Sequence, residues 1–287
     1  MNTVVAVDIG GTKLAVGIVD ADGRILDGRT VPTPRTGDAE ALFGTLAAAI
    51  DSLGDAVGQA AAVGVGCGGP MAAGGEAVSP LNIPAWRGFP LRSRLAEHCR
   101  RPVWIDNDAK ALARGEGWIG AAAGVRDYIG MVVSTGVGGG IFLDGRLLDG
   151  SDGNAGHIGH VIVEPDGARC GCGARGCVEA EASGTAIERS TGRPPAEAPT
   201  DVRERTGRLV GRAIASVANL LDLQLAVVSG SVALGYGDAF FDAAQAEVDA
   251  RCRLDFSQGT RVIPGALRDG GPLVGAAAVA LSALTDR

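Results

Sequence analysis

The chain is poor in aromatic side chains and in basic charge. Aromatic residues make up 4% of its 287 residues, and 33 acidic against 26 basic side chains give a net charge of −7. Proteins that hold single-stranded nucleic acid stack the bases on aromatic rings. Binding to a phosphate backbone depends on a basic surface. DNA and RNA are therefore not expected partners.

Long apolar runs are missing as well. The first residues lack the basic flank and apolar core of a secretory signal. The alanine-rich stretch at 275–284 is too short to span a bilayer. We therefore expect a cytoplasmic protein without membrane contact, in a compartment where thiols stay reduced. The length allows two ordinary domains with a large buried core.

Glycine is abundant, with 46 residues and no collagen-like period. An apolar run at 3–7 leads into Asp-Ile-Gly-Gly-Thr-Lys, and 14–19 continues as a strand. A second run at 128–133 leads into the glycine-rich segment 134–140, after which 141–143 resumes the strand. Strand, glycine turn and strand thus occur twice. This duplication predicts two α/β halves with a cleft between domains, where ligands commonly bind.

Further elements follow from the spacing of apolar residues. A third strand after a turn would complete an antiparallel meander, and Asp38 is placed to cap the helix that follows it. Short β-branched runs predict buried strands, and an apolar stripe at helical spacing predicts a long helix. These segments are a strand at 24–31, a helix from 38, strands at 63–65, 103–105 and 225–228, a surface loop at 191–200 and a helix at 202–223.

Both glycine turns have the composition of phosphate-binding loops. In the first, glycine lets phosphate oxygens approach bare backbone amides, and Asp8 could hold a hydrated magnesium ion. The spacing is not that of a P-loop, and the second turn lies between two strands, unlike a dinucleotide fingerprint. The candidate residues are Asp8, Gly10, Gly11, Thr12 and Lys13 in the first turn, and Ser134, Thr135, Gly136 and Gly138 in the second.

Three of the six cysteines fall within eight positions, at Cys170, Cys172 and Cys177. Thiolates at this spacing can surround one tetrahedral ion, with a histidine from His157 or His160 as fourth ligand. Free or redox-active thiols are the alternative, although three thiols leave one unpaired and the first two are too close for an easy disulfide. A filled coordination sphere predicts a structural metal. The remaining cysteines, Cys67, Cys99 and Cys252, are expected to be core residues.

Polar residues follow the buried strand at 103–105. We expect Asp106 to cap the next helix. Asn107 and Asp108 together offer an amide to orient a hydroxyl and a carboxylate to accept its proton. Asn82 and Trp86, in a loop with prolines, would suit a sugar ring, although a loop tryptophan is as often a packing anchor.

Taken together, the motifs resemble the ROK family of bacterial sugar kinases. They are Asp8-x-Gly-Gly-Thr-Lys, Asn107-Asp-Ala, Ser134-Thr-Gly-Val-Gly-Gly-Gly, Gly156-x-x-Gly-His and Cys170-Gly-Cys-Gly-x-x-Gly-Cys-x-Glu-x-x-x-Ser. The resemblance implies an α/β chain with the two-lobed actin-like ATPase fold, also called ribonuclease H-like, with a cleft between the lobes and a zinc-binding loop. The N-terminal lobe would span 1–114 and be completed by a helix at 275–287. The C-terminal lobe, at 115–274, would carry the zinc loop.

The resemblance also implies an ATP-dependent kinase acting on the 6-hydroxyl of a hexose, with Mg²⁺ and a structural Zn²⁺. Asp108 would be the catalytic base, and zinc would be held by His160, Cys170, Cys172 and Cys177. Gly230 and Gly275 match the family's adenosine-side turns. The implied sugar-binding residues are Gly68, Gly69, Asn82, Asn107, Asp108, His157, His160 and Glu179.

One residue departs from the usual glucokinase pattern. Most glucokinases of this family carry glutamate at the position of His157, and the Gly-His-Ile-Gly-His form resembles bacterial N-acetylmannosamine kinases. The expected acceptor is glucose, with N-acetylmannosamine as the alternative. A sugar-responsive repressor of the same family is disfavoured, because a DNA-binding segment would have to precede the turn at Asp8. The resemblance further implies a homodimer or homotetramer.

Overall fold

The computed structural model describes residues 3–35 and 37–285. Within them the chain forms two compact units. Unit 1 contains the described residues up to Ile119, the segment Asp149–Asn154 and the described residues from Asp269 onward. Unit 2 contains Gly120–Leu148 and Ala155–Arg268. The lobe boundaries at 114 and 275 stay predictions, and their outer limits at 1 and 287 lie outside the described residues.

The strands fall into two five-stranded sheets, one in each unit, with the orders β3-β2-β1-β4-β5 and β10-β9-β6-β7-β8. In each sheet an antiparallel hairpin lies beside a strand parallel to its first member. The strands are β1 (Val4–Ile9), β2 (Lys13–Val19), β3 (Ile25–Pro32), β4 (Ala62–Cys67), β5 (Val103–Asn107), β6 (Tyr128–Val133), β7 (Val137–Leu143), β8 (Arg146–Leu147), β9 (Leu225–Ser229) and β10 (Arg261–Pro264).

The α-helices range from 5 to 22 residues in length. They are α1 (Ala39–Asp51), α2 (Asp55–Gln59), α3 (Leu91–Cys99), α4 (Asp108–Trp118), α5 (Val178–Ala182), α6 (Gly184–Thr191), α7 (Thr200–Leu221), α8 (Ser231–Tyr236), α9 (Asp238–Arg251) and α10 (Gly271–Thr285). Among the described residues, none of these helices combines the length and the apolar character needed to cross a membrane.

The opening meander of unit 1 forms as the sequence predicts. β1 and β2 pair from Val4–Val19 to Ile9–Leu14, and β3 pairs antiparallel with β2. The Asp38 side chain caps α1 by accepting hydrogen bonds from the amides of Glu40 and Ala41. Leu42, Phe43, Leu46 and Ile50 of α1 are buried against this sheet. The predicted strands at 63–65 and 103–105 are confirmed as parts of β4 and β5.

Helix α10 covers the other face of the unit 1 sheet at very short range. Its alanines form a fully buried cluster with Val4, Val19 and other small residues of the strands. A Cβ at Gly64 in β4 would lie 2.0 Å from the carbonyl oxygen of Ala276. Any side chain there would push the helix off the sheet. The closing helix therefore belongs to the core of unit 1.

The core of unit 2 lies between its sheet and the pair α7 and α9. Leu209, Val210, Ala213 and Ile214 of α7 are buried in it, as the helical spacing predicts. The helix ends at Leu221, two residues before the predicted end, because Asp222 adopts a left-handed conformation with φ 55°. Such a residue terminates the hydrogen-bond ladder of a helix.

Candidate active site

The first glycine turn joins β1 to β2 in unit 1. The Gly10 amide donates to the carbonyl oxygen of Lys13 at 3.0 Å, and the Thr33 hydroxyl donates to the Gly10 carbonyl oxygen at 2.6 Å. Asn82 packs directly on the turn, since a Cβ at Gly11 would lie 2.6 Å from the Asn82 Cβ. The structure thus brings the predicted residues Gly10, Gly11 and Asn82 together.

Two carboxylates lie beside this turn. Asp8 is in β1, Asp108 is the first residue of α4, and both approach Gly66 of β4. A Cβ at Gly66 would lie 3.6 Å from Asp8 Oδ1 and 3.6 Å from the Asp108 Cα. Burial, followed by the charge of Asp108, raises the pKa of Asp8 to about 7, against the opposing effect of Lys13. Paired carboxylate oxygens of this kind suit a hard divalent cation, whose charge would relieve their repulsion.

The cap of α4 is Asn107, and the prediction that Asp106 caps this helix is wrong. The Asn107 side-chain oxygen accepts hydrogen bonds from the amides of Ala109 at 3.0 Å and Lys110 at 3.3 Å. Asp106 still belongs to β5, and its carboxylate pairs with Lys110 and Arg114. An N-cap residue must leave the strand and accept from the second or third amide of the helix, a position that Asn107 occupies.

The loop after β4 lies against Asn107 and Asp108. A Cβ at Gly68 would lie 3.9 Å from Asp108 Oδ2, and a Cβ at Gly69 would lie 3.6 Å from Asn107 Nδ2. The predicted sugar-binding residues of unit 1, namely Gly68, Gly69, Asn82, Asn107 and Asp108, are therefore adjacent to one another or to the first turn. Bare backbone beside an amide and a carboxylate can receive several hydroxyl groups.

Trp86 is a packing anchor. Its side chain is 0% exposed, stacks on Phe89 at a centroid distance of 4.7 Å and donates from Nε1 to the Ala39 carbonyl oxygen at 3.2 Å. Its ring face is therefore covered by protein. Of the two interpretations of this loop tryptophan, the structure supports packing.

The second glycine turn, in unit 2, is shorter than the sequence predicts. The Ser134 amide donates to the Gly136 carbonyl oxygen at 2.9 Å, and β7 begins at once with Val137. The glycines at 138–140 therefore lie in the strand, where Gly138 pairs with Val132. Gly139 has no room for a side chain, because its Cβ would lie 2.9 Å from the Gly130 carbonyl oxygen and 3.0 Å from Ile158.

The predicted adenosine-side glycines lie in different units. Gly230 follows β9 with φ 101°, and a Cβ there would lie 2.4–2.8 Å from the backbone of Val133. Gly275 lies in α10 of unit 1, where a Cβ would be 2.6 Å from the Ala111 carbonyl oxygen of α4. A helix–helix contact accounts for Gly275 without a ligand.

His160, Cys170, Cys172 and Cys177 bring one ligand atom each within 4.8 Å of the others. The sulfurs of Cys172 and Cys177 are 3.7 Å apart, as are Cys170 Sγ and His160 Nδ1. Zinc–sulfur bonds of about 2.3 Å in a tetrahedron separate two sulfurs by about 3.8 Å. A hydrogen bond from the Ala174 amide lowers the pKa of the Cys172 thiol and favours the thiolate that a metal requires. These four residues therefore fit a zinc ion.

The other predicted residues of unit 2 surround this cluster. The rings of His157 and His160 stack at a centroid distance of 6.0 Å. Glu179, in the helix α5 that Cys177 begins, accepts a hydrogen bond from the Val137 amide at 3.0 Å. Glu179 is thus in contact with the second glycine turn as well as with the metal loop.

Sequence reasoning missed Lys110. Its side chain is 3% exposed and its ammonium lies 2.7 Å from Asp149 Oδ1, 3.5 Å from Asp106 Oδ1 and 3.0 Å from the Gly153 carbonyl oxygen. It therefore anchors the segment Asp149–Asn154 to the helix that begins with Asp108. The spacing of four residues between Asp106 and Lys110 gave no reliable signal, because Asp106 lies in β5 and Lys110 in α4.

Comparison with known proteins agrees with these geometries. A sequence model described as the ROK family matches residues 4–283. An N-acetylmannosamine kinase of Escherichia fergusonii is 38% identical over 253 residues, which cover 82% of this chain and 85% of that protein.

Two solved structures superpose over almost the whole chain. A ROK hexokinase from Thermus thermophilus has a TM-score of 0.83 and 34% identity, covering 99% of this chain and 100% of its own. A ROK family glucokinase from Streptomyces griseus, in complex with glucose and AMPPNP, has a TM-score of 0.83 and 32% identity, covering 96% and 98%. The predicted actin-like α/β fold class is thereby confirmed.

Proposed function

The chain belongs to the ROK family and is a sugar kinase, and we propose that it transfers the γ-phosphoryl group of ATP to the 6-hydroxyl of N-acetylmannosamine. Two points support this acceptor over glucose, which the sequence motifs alone ranked first. The E. fergusonii relative carries the name of an N-acetylmannosamine kinase. This chain also has His157 where most glucokinases of the family carry glutamate.

The proposed chemistry rests on one observation, the approach of Asp108 and Asp8 to each other beside the first glycine turn. Asp108 accepts the proton of the 6-hydroxyl as the sugar oxygen forms its bond to the γ-phosphorus and the bond to the leaving ADP oxygen breaks. Asp8 would hold Mg²⁺ through water. When bound, the ion would neutralise charge on the β- and γ-phosphates.

Each glycine turn would bind phosphate through backbone amides. In unit 1 the donors would be the amides of Gly11, Thr12 and Lys13, while the Gly10 amide holds the turn closed on the Lys13 carbonyl oxygen. In unit 2 they would be the amides of Thr135 and Gly136, while the Ser134 amide holds that turn closed on the Gly136 carbonyl oxygen. Gly138 is one residue into β7 and would act through close approach of its strand. Gly230 keeps its proposed place beside the adenosine, since it offers bare backbone at the end of β9.

We propose sugar-binding roles for Asn82, Asn107, Asp108 and the backbone at Gly68 and Gly69 in unit 1. In unit 2 we propose the same role for His157, His160 and Glu179. Zn²⁺ would be held by His160 Nδ1 and the three cysteine sulfurs. Four protein ligands fill its sphere, so the proposed role is to fix the loop that carries the sugar-binding side chains.

A coupled ADP-release assay with N-acetylmannosamine, glucose, N-acetylglucosamine, mannose and fructose tests the substrate. The largest kcat/KM is expected with N-acetylmannosamine. A higher value with glucose would restore the acceptor that the motifs ranked first. Release of ADP with none of these sugars would contradict the activity itself.

The variant His157→Glu sharpens this test. We expect it to move the kcat/KM ratio toward glucose by about tenfold or more, because a carboxylate can accept hydrogen bonds from two glucose hydroxyls. His157→Gln is the control, since it removes the imidazole without adding charge. If both variants change the ratio equally, the charge at this position does not select the sugar.

We further propose a homodimer or homotetramer. Leu220, Leu254 and Phe256 of unit 2 are 78%, 51% and 44% exposed. Hydrogen bonds from Asn219 to the Arg251 carbonyl oxygen and from Ser257 to Asn219 hold their segments together. We propose the exposed apolar side chains of these linked segments as the contact between copies of the chain. Sedimentation of the wild type against Leu220→Glu tests it, and a monomeric wild type would contradict it.

A further inference from the structure

Glu179 is the second residue of α5, two positions after the metal ligand Cys177. Its Oε2 accepts the hydrogen bond from the Val137 amide at 3.0 Å. Val137 is the residue that closes the second glycine turn and begins β7. The carboxylate therefore contacts the backbone of a loop proposed to bind phosphate.

The packing around this hydrogen bond leaves little freedom. A Cβ at Gly136 would lie 2.9 Å from Glu179 Oε2, so an alanine there would displace the carboxylate. A Cβ at Gly159 would lie 2.2 Å from the Val137 carbonyl oxygen and 3.5 Å from the Glu179 Cβ. The turn, the segment with His157 and His160, and α5 are therefore in direct contact around Val137.

The two oxygens of the Glu179 carboxylate have different partners available. Across residues 3–35 and 37–285, Oε2 makes the hydrogen bond to Val137, and Oε1 makes no hydrogen bond to protein. Oε1 can thus accept from a ligand hydroxyl while Oε2 stays on the turn. The bond to the Val137 amide requires an oxygen acceptor at this position, which Glu179 Oε2 supplies.

We propose that Glu179 is a positioning residue for the nucleotide, in addition to its role toward the sugar. Through Val137 it holds the second glycine turn in the conformation that receives the phosphates of ATP. One carboxylate then serves both ligands, so that the affinities for sugar and nucleotide are linked. The inference rests on the proposed function, because it takes the second glycine turn as a phosphate-binding loop.

Two substitutions at Glu179 separate the roles. Glu179→Ala removes the acceptor, and we expect the Kd for AMPPNP, measured calorimetrically without sugar, to rise about tenfold. Glu179→Gln keeps an amide oxygen that can accept from Val137, and its Kd should stay within about twofold of wild type. The KM for sugar should rise in both variants. Glu188→Ala, which removes an exposed carboxylate from α6 of the same unit, is the matched control and should leave the Kd unchanged.

Gly136→Ala gives an independent measurement from the other side of the contact. It should weaken AMPPNP binding strongly in the wild-type background and less in the Glu179→Ala background, where no carboxylate is displaced. Additive effects would overturn the inference, as would an unchanged Kd for AMPPNP in Glu179→Ala with a raised KM for sugar. A wild-type chain that binds no AMPPNP would contradict the proposed function itself.

Discussion

The two glycine turns occupy the same place in their sheets and offer different chemistry. Each turn closes an antiparallel hairpin whose first strand also pairs with a parallel strand. In unit 1 the hairpin brings a carboxylate, Asp8, beside a second one, Asp108. In unit 2 the corresponding turn carries the hydroxyls of Ser134 and Thr135. The two turns thus have a similar backbone arrangement that offers amide donors. Only the hairpin of unit 1 contains a carboxylate of its own, Asp8.

The two turns are also held in place by different side chains. The first turn is held by the Thr33 hydroxyl and by van der Waals contact with Asn82. The second is held by the Glu179 carboxylate, by the Thr185 hydroxyl on the Thr135 carbonyl oxygen at 3.0 Å, and by a contact of 2.9 Å between Ser134 and Ser231. In unit 1 the carboxylates take part in the proposed reaction. In unit 2 the Glu179 carboxylate supports the glycine turn.

The largest expected effect is that of replacing Asp108, the proposed catalytic base in unit 1. Asp108→Asn should lower kcat by about 10²–10⁴-fold, because only the proton acceptor is lost. The Kd for sugar should change little. Asp106→Asn is the matched control, since that carboxylate pairs with Lys110 and Arg114, and its kcat should stay within about tenfold of wild type. Full turnover by Asp108→Asn would remove Asp108 from the role of base.

The next largest effect is expected from removing a ligand of the proposed zinc ion in unit 2. Cys172→Ser should reduce bound zinc from about one ion per chain to almost none, and raise the KM for sugar about tenfold, because the loop loses a ligand of its metal. Zinc is measured by atomic absorption on the purified protein. Cys252→Ser, in the core of the same unit, should keep its zinc. Wild-type KM in a metal-free Cys172→Ser protein would show that the metal does not support the sugar-binding residues.

A smaller effect concerns charge that supports unit 1. Lys110→Met should lower the free energy of unfolding by about 2 kcal/mol, since Asp106 keeps a mostly buried charge without its nearest ammonium. Arg208→Met is the control, because its pair with Glu204 is exposed and should contribute less than about 0.5 kcal/mol. Chemical denaturation measures both. Equal values for the two variants would mean that burial of Lys110 adds nothing to the stability of unit 1.

The last expected effect concerns the pH dependence of stability. The pKa of Asp8 is about 7 in the folded chain against 3.8 for an ordinary aspartate, so the folded chain binds more protons between these values. The free energy of unfolding should therefore fall as pH rises from about 4 to 7, by at least about 1 kcal/mol relative to Asp8→Asn. Denaturation in magnesium-free buffer measures the difference. Parallel pH profiles for the two proteins would contradict the raised pKa.

The sequence predicts both hairpins and the helices α1 and α7 because their signals are local. Nearly continuous apolar runs mark β1, β2 and β6, and Asp38 marks the start of α1. The extent of the second turn could not be predicted, because glycine favours turns and the segment 138–140 is nevertheless a strand. Close packing of Ile158 against Gly139, a tertiary contact, decides that outcome.

In the candidate site, too, residues with a local sequence signal were predicted, and hydrogen bonds between distant residues were not. Residue types and spacing singled out Asp8, Asp108 and the cysteine loop, since a carboxylate after a strand and a cluster of thiols are unusual in any setting. Which residue caps α4 depends on where β5 ends, and the two candidates, Asp106 and Asn107, are consecutive in the chain. The contact of Glu179 with Val137 spans 42 positions in the chain and has no local signal.

The closing helix α10 has a consequence for the order in which the protein is built. Unit 1 takes its last helix from Gly271–Thr285, while unit 2 is encoded entirely before Asp269. During translation the first strands therefore keep one apolar face uncovered until residues 271–285 have been made. Unit 2 has its whole sequence at an earlier moment. A nascent chain stalled at Arg268 would expose the alanine-lined face of unit 1 to chaperones and proteases.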